Sequence, residues 1–169
     1  MGVQDVAYAE DRATAACVLA DDWHSAKESR IVCASIDSPA PYASGRFFER
    51  ELPCLLAVLG RVGRPPEIAL VDGYVWLPGG VWGLGAHLYH ALQRSVTVVG
   101  VAKSAFAGAA FAVPVYRGES RRPIFVTAVG IDEASAARHV ALMSGRYRIP
   151  TLLARADQAA RKPPAGSLT

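Results

Sequence analysis

Ile68-Ala69-Leu70-Val71 is apolar from end to end and stops at Asp72-Gly73; residues 96–101 form a second buried run, closed by Ala102-Lys103-Ser104. A strand with no polar alternation has no wet face, so both runs belong in a parallel sheet covered on two sides. Upstream, residues 3–9, 14–20 and 30–36 are β-branched and apolar, with Glu10-Asp11-Arg12 as a turn, which predicts a three-stranded antiparallel meander. Ser38-Pro39-Ala40-Pro41 breaks it. From Gly45 the apolar positions Phe47, Phe48, Leu52, Leu55, Leu56, Val58 and Leu59 recur at helical spacing up to residues 60–66, with Pro53 marking a helix start or a kink. Residues 83–93 read as a helix, and residues 111–116 and 124–129 as a hairpin. Two helices follow, over 132–144 with Asp132 near the cap and over 151–162.

The order β-β-β-α-β-α-β puts three antiparallel strands ahead of helix-linked parallel ones. It fits an α/β ribonuclease H-like mixed sheet flanked by helices, and also other mixed sheets. The 169 residues predict one domain over 1–162 with a flexible tail at 163–169. A chain that is 51% hydrophobic is neither disordered nor low-complexity. No window approaches the ~18 apolar residues of a membrane span, and Met1-Gly2-Val3-Gln4-Asp5 has no basic leader, so no membrane partner is expected. Cys17, Cys33 and Cys54, an odd number in apolar settings, read as reduced thiols of a cytoplasmic protein. A monomer is the expected state.

Charge divides along the chain. Residues 1–100 carry 8 basic and 11 acidic side chains, and residues 101–169 carry 10 and 4. An acidic half beside an arginine-rich half suits a metal centre next to a phosphate-binding surface, although scattered solvated arginines give the same count. The carboxylates sharpen this. Asp5 lies within the first strand, Glu51 in the helix after the meander, and Asp72 at the end of a buried parallel strand, where α/β folds place ligands. A charge so placed is costly unless paired or metal-bound, and three hard oxygen donors suit magnesium. Taken singly, each reads equally as a solvated cap or an ion pair.

Local words carry the reading further. Asp5-Val6-Ala7-Tyr8, Pro41-Tyr42-Ala43-Ser44-Gly45, Arg50-Glu51-Leu52-Pro53, Val71-Asp72-Gly73 and Gly100-Val101-Ala102-Lys103-Ser104 occur in order, and Arg148-Ile149-Pro150 and Ala154-Arg155-Ala156-Asp157 follow. Together, over residues 3–162, they resemble the endonuclease V family, nucleases that cleave beside deaminated purines. The resemblance implies a ribonuclease H-like fold and a magnesium site, with manganese as an alternative, from Asp5, Glu51 and Asp72. Asp157 stands where a further metal-site residue would fall, and Lys103 by the scissile phosphate. The implied reaction hydrolyses the second phosphodiester 3′ to a hypoxanthine nucleotide in DNA or RNA. Tyr42 would be the wedge that holds the gap left by the extruded base. Gly45, Gly73, Gly83 and Gly108 would let backbone approach that base, and Phe106 would wall the pocket.

The chain also departs from the family. Where members run on from Asp72-Gly73 to a His-Pro-Arg word, this chain has Tyr74-Val75-Trp76-Leu77-Pro78-Gly79-Gly80, and Ala128-Val129-Gly130-Ile131 replaces a Pro-Gly-His word. The losses fall on base recognition rather than on metal ligands. Trp76 and Trp82 offer stacking in place of hydrogen-bonded readout, or simply cover a core edge. His87 is expected to pack. The alternatives are a catalytically weak nucleic-acid-binding protein on the same fold, or a nuclease for another modified nucleotide.

Overall fold

The computed structural model describes residues 1–9, 11–41, 43, 46–106 and 111–168. A seven-stranded sheet, ordered β3-β2-β1-β4-β7-β9-β8, forms the middle layer. Its strands are β1 (Gly2–Ala9), β2 (Arg12–Leu19), β3 (Arg30–Asp37), β4 (Ile68–Val71), β7 (Thr97–Ala102), β8 (Val113–Val115) and β9 (Ile124–Val129). The meander β1-β2-β3 is antiparallel, β1 pairs β4 and β4 pairs β7 in parallel, and β9 runs antiparallel to both β7 and β8. This is the mixed, ribonuclease H-like sheet expected from the order of elements. Helices α1 (Phe47–Val62) and α2 (Leu84–Ala91) cover one face, and α3 (Glu133–Leu142) and α4 (Thr151–Arg161) cover the other.

The two faces explain the apolar runs. Leu70 and Val99 are fully buried against the α3/α4 layer, and Ala69, Val71 and Val98 against the α1/α2 layer, so neither strand has a solvent side. Asp132 caps α3 as expected, its carboxylate accepting from the Ser135 amide at 2.9 Å. Pro53 falls inside α1 rather than at its start; the position is exposed, so the carbonyl that loses its intrahelical donor lies on the helix's wet side. Pro114 is tolerated in β8 because that strand is the sheet edge.

The opposite edge, β3, shows where the sequence reading of a loose tail differs from the structure. The Cys33 amide donates to the Ser167 carbonyl at 2.8 Å, and Leu168 bridges to Cys33 in parallel. Residues 163–168 thus satisfy part of an otherwise open strand edge. Two short strands, β5 (Trp76–Leu77) and β6 (Val81–Trp82), form a small antiparallel hairpin not foreseen from the sequence, turned by a one-turn 3-10 segment at Pro78–Gly80. Gly79 and Gly80 take φ of 74° and 75°, which only glycine adopts without strain.

Candidate active site

The site forms where parallel strands end. Gln4 of β1 pairs with Val71, so Asp5 is the first residue of β1 to outrun β4, level with the chain as it leaves the sheet at Asp72. Lys103 follows the last residue of β7. Three neighbouring strand ends therefore deliver Asp5, Asp72 and Lys103 to one place, and α1 brings in Glu51 from the facing helix layer. All four line a cleft of about 850 Å3 together with Phe48, Tyr74, Trp82, Gly83 and Phe106.

Lys103 organises the carboxylates. Its Nζ lies 2.6 Å from Asp72 Oδ2 and 3.9 Å from Asp5 Oδ2. Burial works against its charge, but the Asp72 hydrogen bond and then the Asp72, Asp5 and Asp157 charges outweigh that, and its pKa rises. The Asp5 side chain is only 13% exposed, and its Oδ1 accepts from the Val6 amide at 2.8 Å. Burial, followed by the Asp72 charge, pushes the Asp5 carboxyl up to about 6 from an ordinary 3.8. Glu51 is 6% exposed and is driven by burial to about 7 from 4.5; the Tyr8 hydroxyl, which donates to Oε1 at 2.8 Å, opposes the shift, and the charges of Asp5 and Asp72 add to it. Arg50 covers the Tyr8 ring, its guanidinium carbon 3.6 Å from the centroid.

The cations do not satisfy this cluster: Lys103 bears on Asp5 and Asp72 and Arg50 on Glu51, yet Asp5 and Glu51 are both pushed upward. Among the described residues no three His, Cys, Asp or Glu side chains are closed into a metal cage, because Lys103 lies between Asp5 and Asp72 and Glu51 is turned toward Tyr8. The donor set nonetheless fits a hard divalent cation, being all oxygen, partly buried and mutually repulsive.

A pH prediction follows from the shifts. Both carboxyls hold protons more tightly when folded (about 6 and 7) than when unfolded (3.8 and 4.5). Between pH ~4 and ~7 the native state binds more protons, so these groups lower stability as pH rises through that window. In EDTA, Glu51→Gln should flatten the fall of Tm between pH 5 and 8 relative to wild type. An unchanged slope would count against a buried, frustrated Glu51.

The remaining expectations divide. Asp157 of α4 is gripped by Arg161, with both carboxylate oxygens 3.1 Å from Nε, which lowers its pKa; it reaches the site as a charge felt by Asp5 and Lys103. Gly83 lines the cleft, and a Cβ there would sit 2.5 Å from the Tyr74 carbonyl, so a side chain is excluded. Gly73 turns with φ of 148°. Phe106, 47% exposed, stands edge-on to Tyr74 at 6.2 Å. Tyr42, Gly45 and Gly108 lie outside the described residues. His87 packs, its ring stacked on Phe48 at 3.6 Å. The tryptophans separate: Trp76 donates to the Ala128 carbonyl at 3.0 Å and packs against the α1/α2 core, whereas Trp82 lines the cleft.

Two contributors escape sequence reading. Tyr8 closes the word Asp5-Val6-Ala7-Tyr8, which gave it no role of its own; its bond to Glu51 exists only once α1 is docked over it. Arg148 donates to the Lys103 carbonyl at 3.0 Å and the Pro123 carbonyl at 3.2 Å, fixing the loop that carries the lysine; only the word Arg148-Ile149-Pro150 marked it.

The endonuclease V family model matches residues 1–120, which include Asp5, Glu51, Asp72 and Lys103. The chain belongs to the endonuclease V family. Endonuclease V of Rhodospirillum centenum is 36% identical over 145 residues, 73% of this chain and 59% of the relative, so the chain spans about three-fifths of that relative's length. The crystal structure of endonuclease V from Streptomyces avermitilis superposes with a TM-score of 0.73 at 27% identity, covering 95% of this chain and 79% of that one. Endonuclease V of Ciona intestinalis, solved with a DNA 24mer containing an inosine followed by a ribo-adenosine, shares the fold with a TM-score of 0.77 at 20% identity, covering 95% and 84%. No helix among the described residues is long and apolar enough to cross a membrane.

Proposed function

We propose that the chain is a metal-dependent endonuclease that hydrolyses a phosphodiester 3′ to a deaminated purine, hypoxanthine, in DNA or RNA. The observation that carries this reading is the pairing of Lys103 with Asp5 and Asp72 at the ends of three parallel strands, in a cleft with aromatic walls that Glu51 enters from α1. Family membership and the inosine-containing DNA bound by the Ciona relative support the substrate class.

Asp5 and Asp72, with Glu51 turned from Tyr8, would hold magnesium or manganese, and Asp157 would add negative charge from α4. The metal, when bound, supplies water activation and charge neutralisation at the scissile phosphate. Lys103 presents an ammonium to a non-bridging phosphate oxygen as a compact point charge, and Arg148 keeps it aimed by holding its carbonyl. Gly73 and Gly83 leave backbone bare beside the cleft, where an extruded base would be read against Phe106. Tyr42 is assigned the wedge role, and Gly45 and Gly108 the close backbone approach, on the family resemblance.

The test is incubation of purified protein with end-labelled strands carrying one deoxyinosine or one inosine, with and without magnesium or manganese. The expected product is a metal-dependent nick one nucleotide beyond the hypoxanthine on its 3′ side. Binding without scission under every metal would overturn the nuclease reading in favour of a nucleic-acid-binding protein, and a nick only in strands with other modified bases would transfer the activity to another lesion.

A further inference from the structure

The hairpin β5–β6 follows closely on Asp72-Gly73, and its two tryptophans are used differently. Trp76 pins the inner strand to the sheet through its bond to Ala128. Trp82, its cross-strand partner, is 43% exposed and lines the cleft that holds Asp5, Asp72 and Lys103. Its ring is pre-stacked: His90 lies parallel to it at 4.1 Å and 18°, and His87 meets it edge-on at 5.4 Å while itself lying flat on Phe48. The turn 78–80 beside it carries no charge and no hydrogen-bonding side chain. An indole packed against two imidazole rings yet still 43% exposed loses little freedom on accepting another flat ring.

We propose that Trp82 is a stacking platform for one unpaired nucleobase, and that it directs the cleft toward single-stranded nucleic acid. The proposal deepens the nuclease reading and rests on it for placing a strand in the cleft. A base inside a duplex has both faces covered by its neighbours, so only an unpaired base gains from the open indole face. Stacking is tolerant of base identity, which suits a hairpin of aromatic, aliphatic, proline and glycine residues with no charged side chain.

The experiment is a fluorescence-anisotropy titration in EDTA of labelled single-stranded and duplex oligonucleotides of equal length and no modified base, with wild type, Trp82→Ala and Trp82→Phe. Trp82→Ala should weaken single-strand binding roughly tenfold or more, the scale of one lost base stack, while duplex binding changes less than twofold. Trp82→Phe should keep most of the affinity yet lose most of the tryptophan quenching seen when wild type binds oligo(dT), which a fold defect would not reproduce. Equal binding by wild type and Trp82→Ala, or equal losses on single strand and duplex, would overturn the platform. So would a dimer on size exclusion that Trp82→Ala dissociates without altering strand binding, since the face would then belong to a second copy. A Trp82-dependent single-strand preference in a protein that nicks no substrate would leave the platform standing and sink the nuclease reading; normal nicking with no Trp82 effect would do the reverse.

Discussion

Asp72→Asn should lower metal-dependent cleavage of an inosine-containing strand by about a thousandfold, while binding in EDTA stays level or tightens. The carboxylate stands at the end of β4, level with Asp5 and 2.6 Å from Lys103, so one substitution neutralises both the proposed metal-binding carboxylate and the ion-pair partner of the lysine assigned to the phosphate. Several kcal/mol of transition-state stabilisation attributed to a metal corresponds to about three powers of ten in rate. Binding should behave oppositely, because removing a negative charge from a cleft that receives phosphates relieves repulsion. Single-turnover cleavage measured beside EDTA anisotropy separates the two. Activity within tenfold of wild type would show that Asp72 is no metal ligand, and a parallel loss of binding would show that it grips the strand instead.

Gly100→Ala should damage both fold and activity, although it adds one methyl group to a strand. A Cβ at Gly100 would sit 2.5 Å from the Gly73 carbonyl, 2.8 Å from the Val75 amide and 2.9 Å from Thr127 Oγ1, between groups that include a 2.8 Å buried hydrogen bond from Val75 to Thr127. None is the end of a long flexible side chain. Overpacking of this kind costs about 1–3 kcal/mol and an unsatisfied buried donor a similar amount, or roughly 5–15 °C in Tm for a chain of this size. The segment forced outward is the one that carries Asp72, so cleavage should fall further than stability explains. Gly60→Ala is the control: it sits exposed in α1 with nothing within 4 Å, and should be neutral or slightly stabilising. Thermal melts and cleavage rates of the two variants test the contrast, and wild-type behaviour by Gly100→Ala would refute the crowding.

Both experiments depend on features of unequal legibility. Unalternating strands such as 68–71 announce themselves, because burial on two faces leaves no polar position to confuse the period. Asp5 and Asp72 were visible as charges that interrupt such strands, and Lys103 as a cation at the end of another. Their mutual distances were not visible, since those depend on Asp5 being the first residue of β1 past the end of β4, a register set between segments far apart in sequence. Tyr8 and Arg148 were hidden for the same reason: each acquires its role only when a distant element is laid across it. The β5–β6 hairpin escaped because two-residue strands have no period to detect. The docking of residues 163–168 on β3 escaped because a Pro-Pro-Ala-Gly-Ser composition describes a chain without its own structure, and an available strand edge supplies structure from outside.

Arg117, which does not line the cleft, is connected to the lysine. Arg117 is 5% exposed, and its guanidinium collects the carbonyls of Ala141, Met143, Gly145, Tyr147 and Arg148. It gathers the whole turn between α3 and α4 around a single buried cation, and the last carbonyl in that set belongs to the residue that steadies Lys103. The position of the lysine is thus inherited through two guanidinium groups, neither of which lines the cleft. Drift in the α3–α4 turn would pass into the cleft as a misdirected ammonium, with every carboxylate still in place.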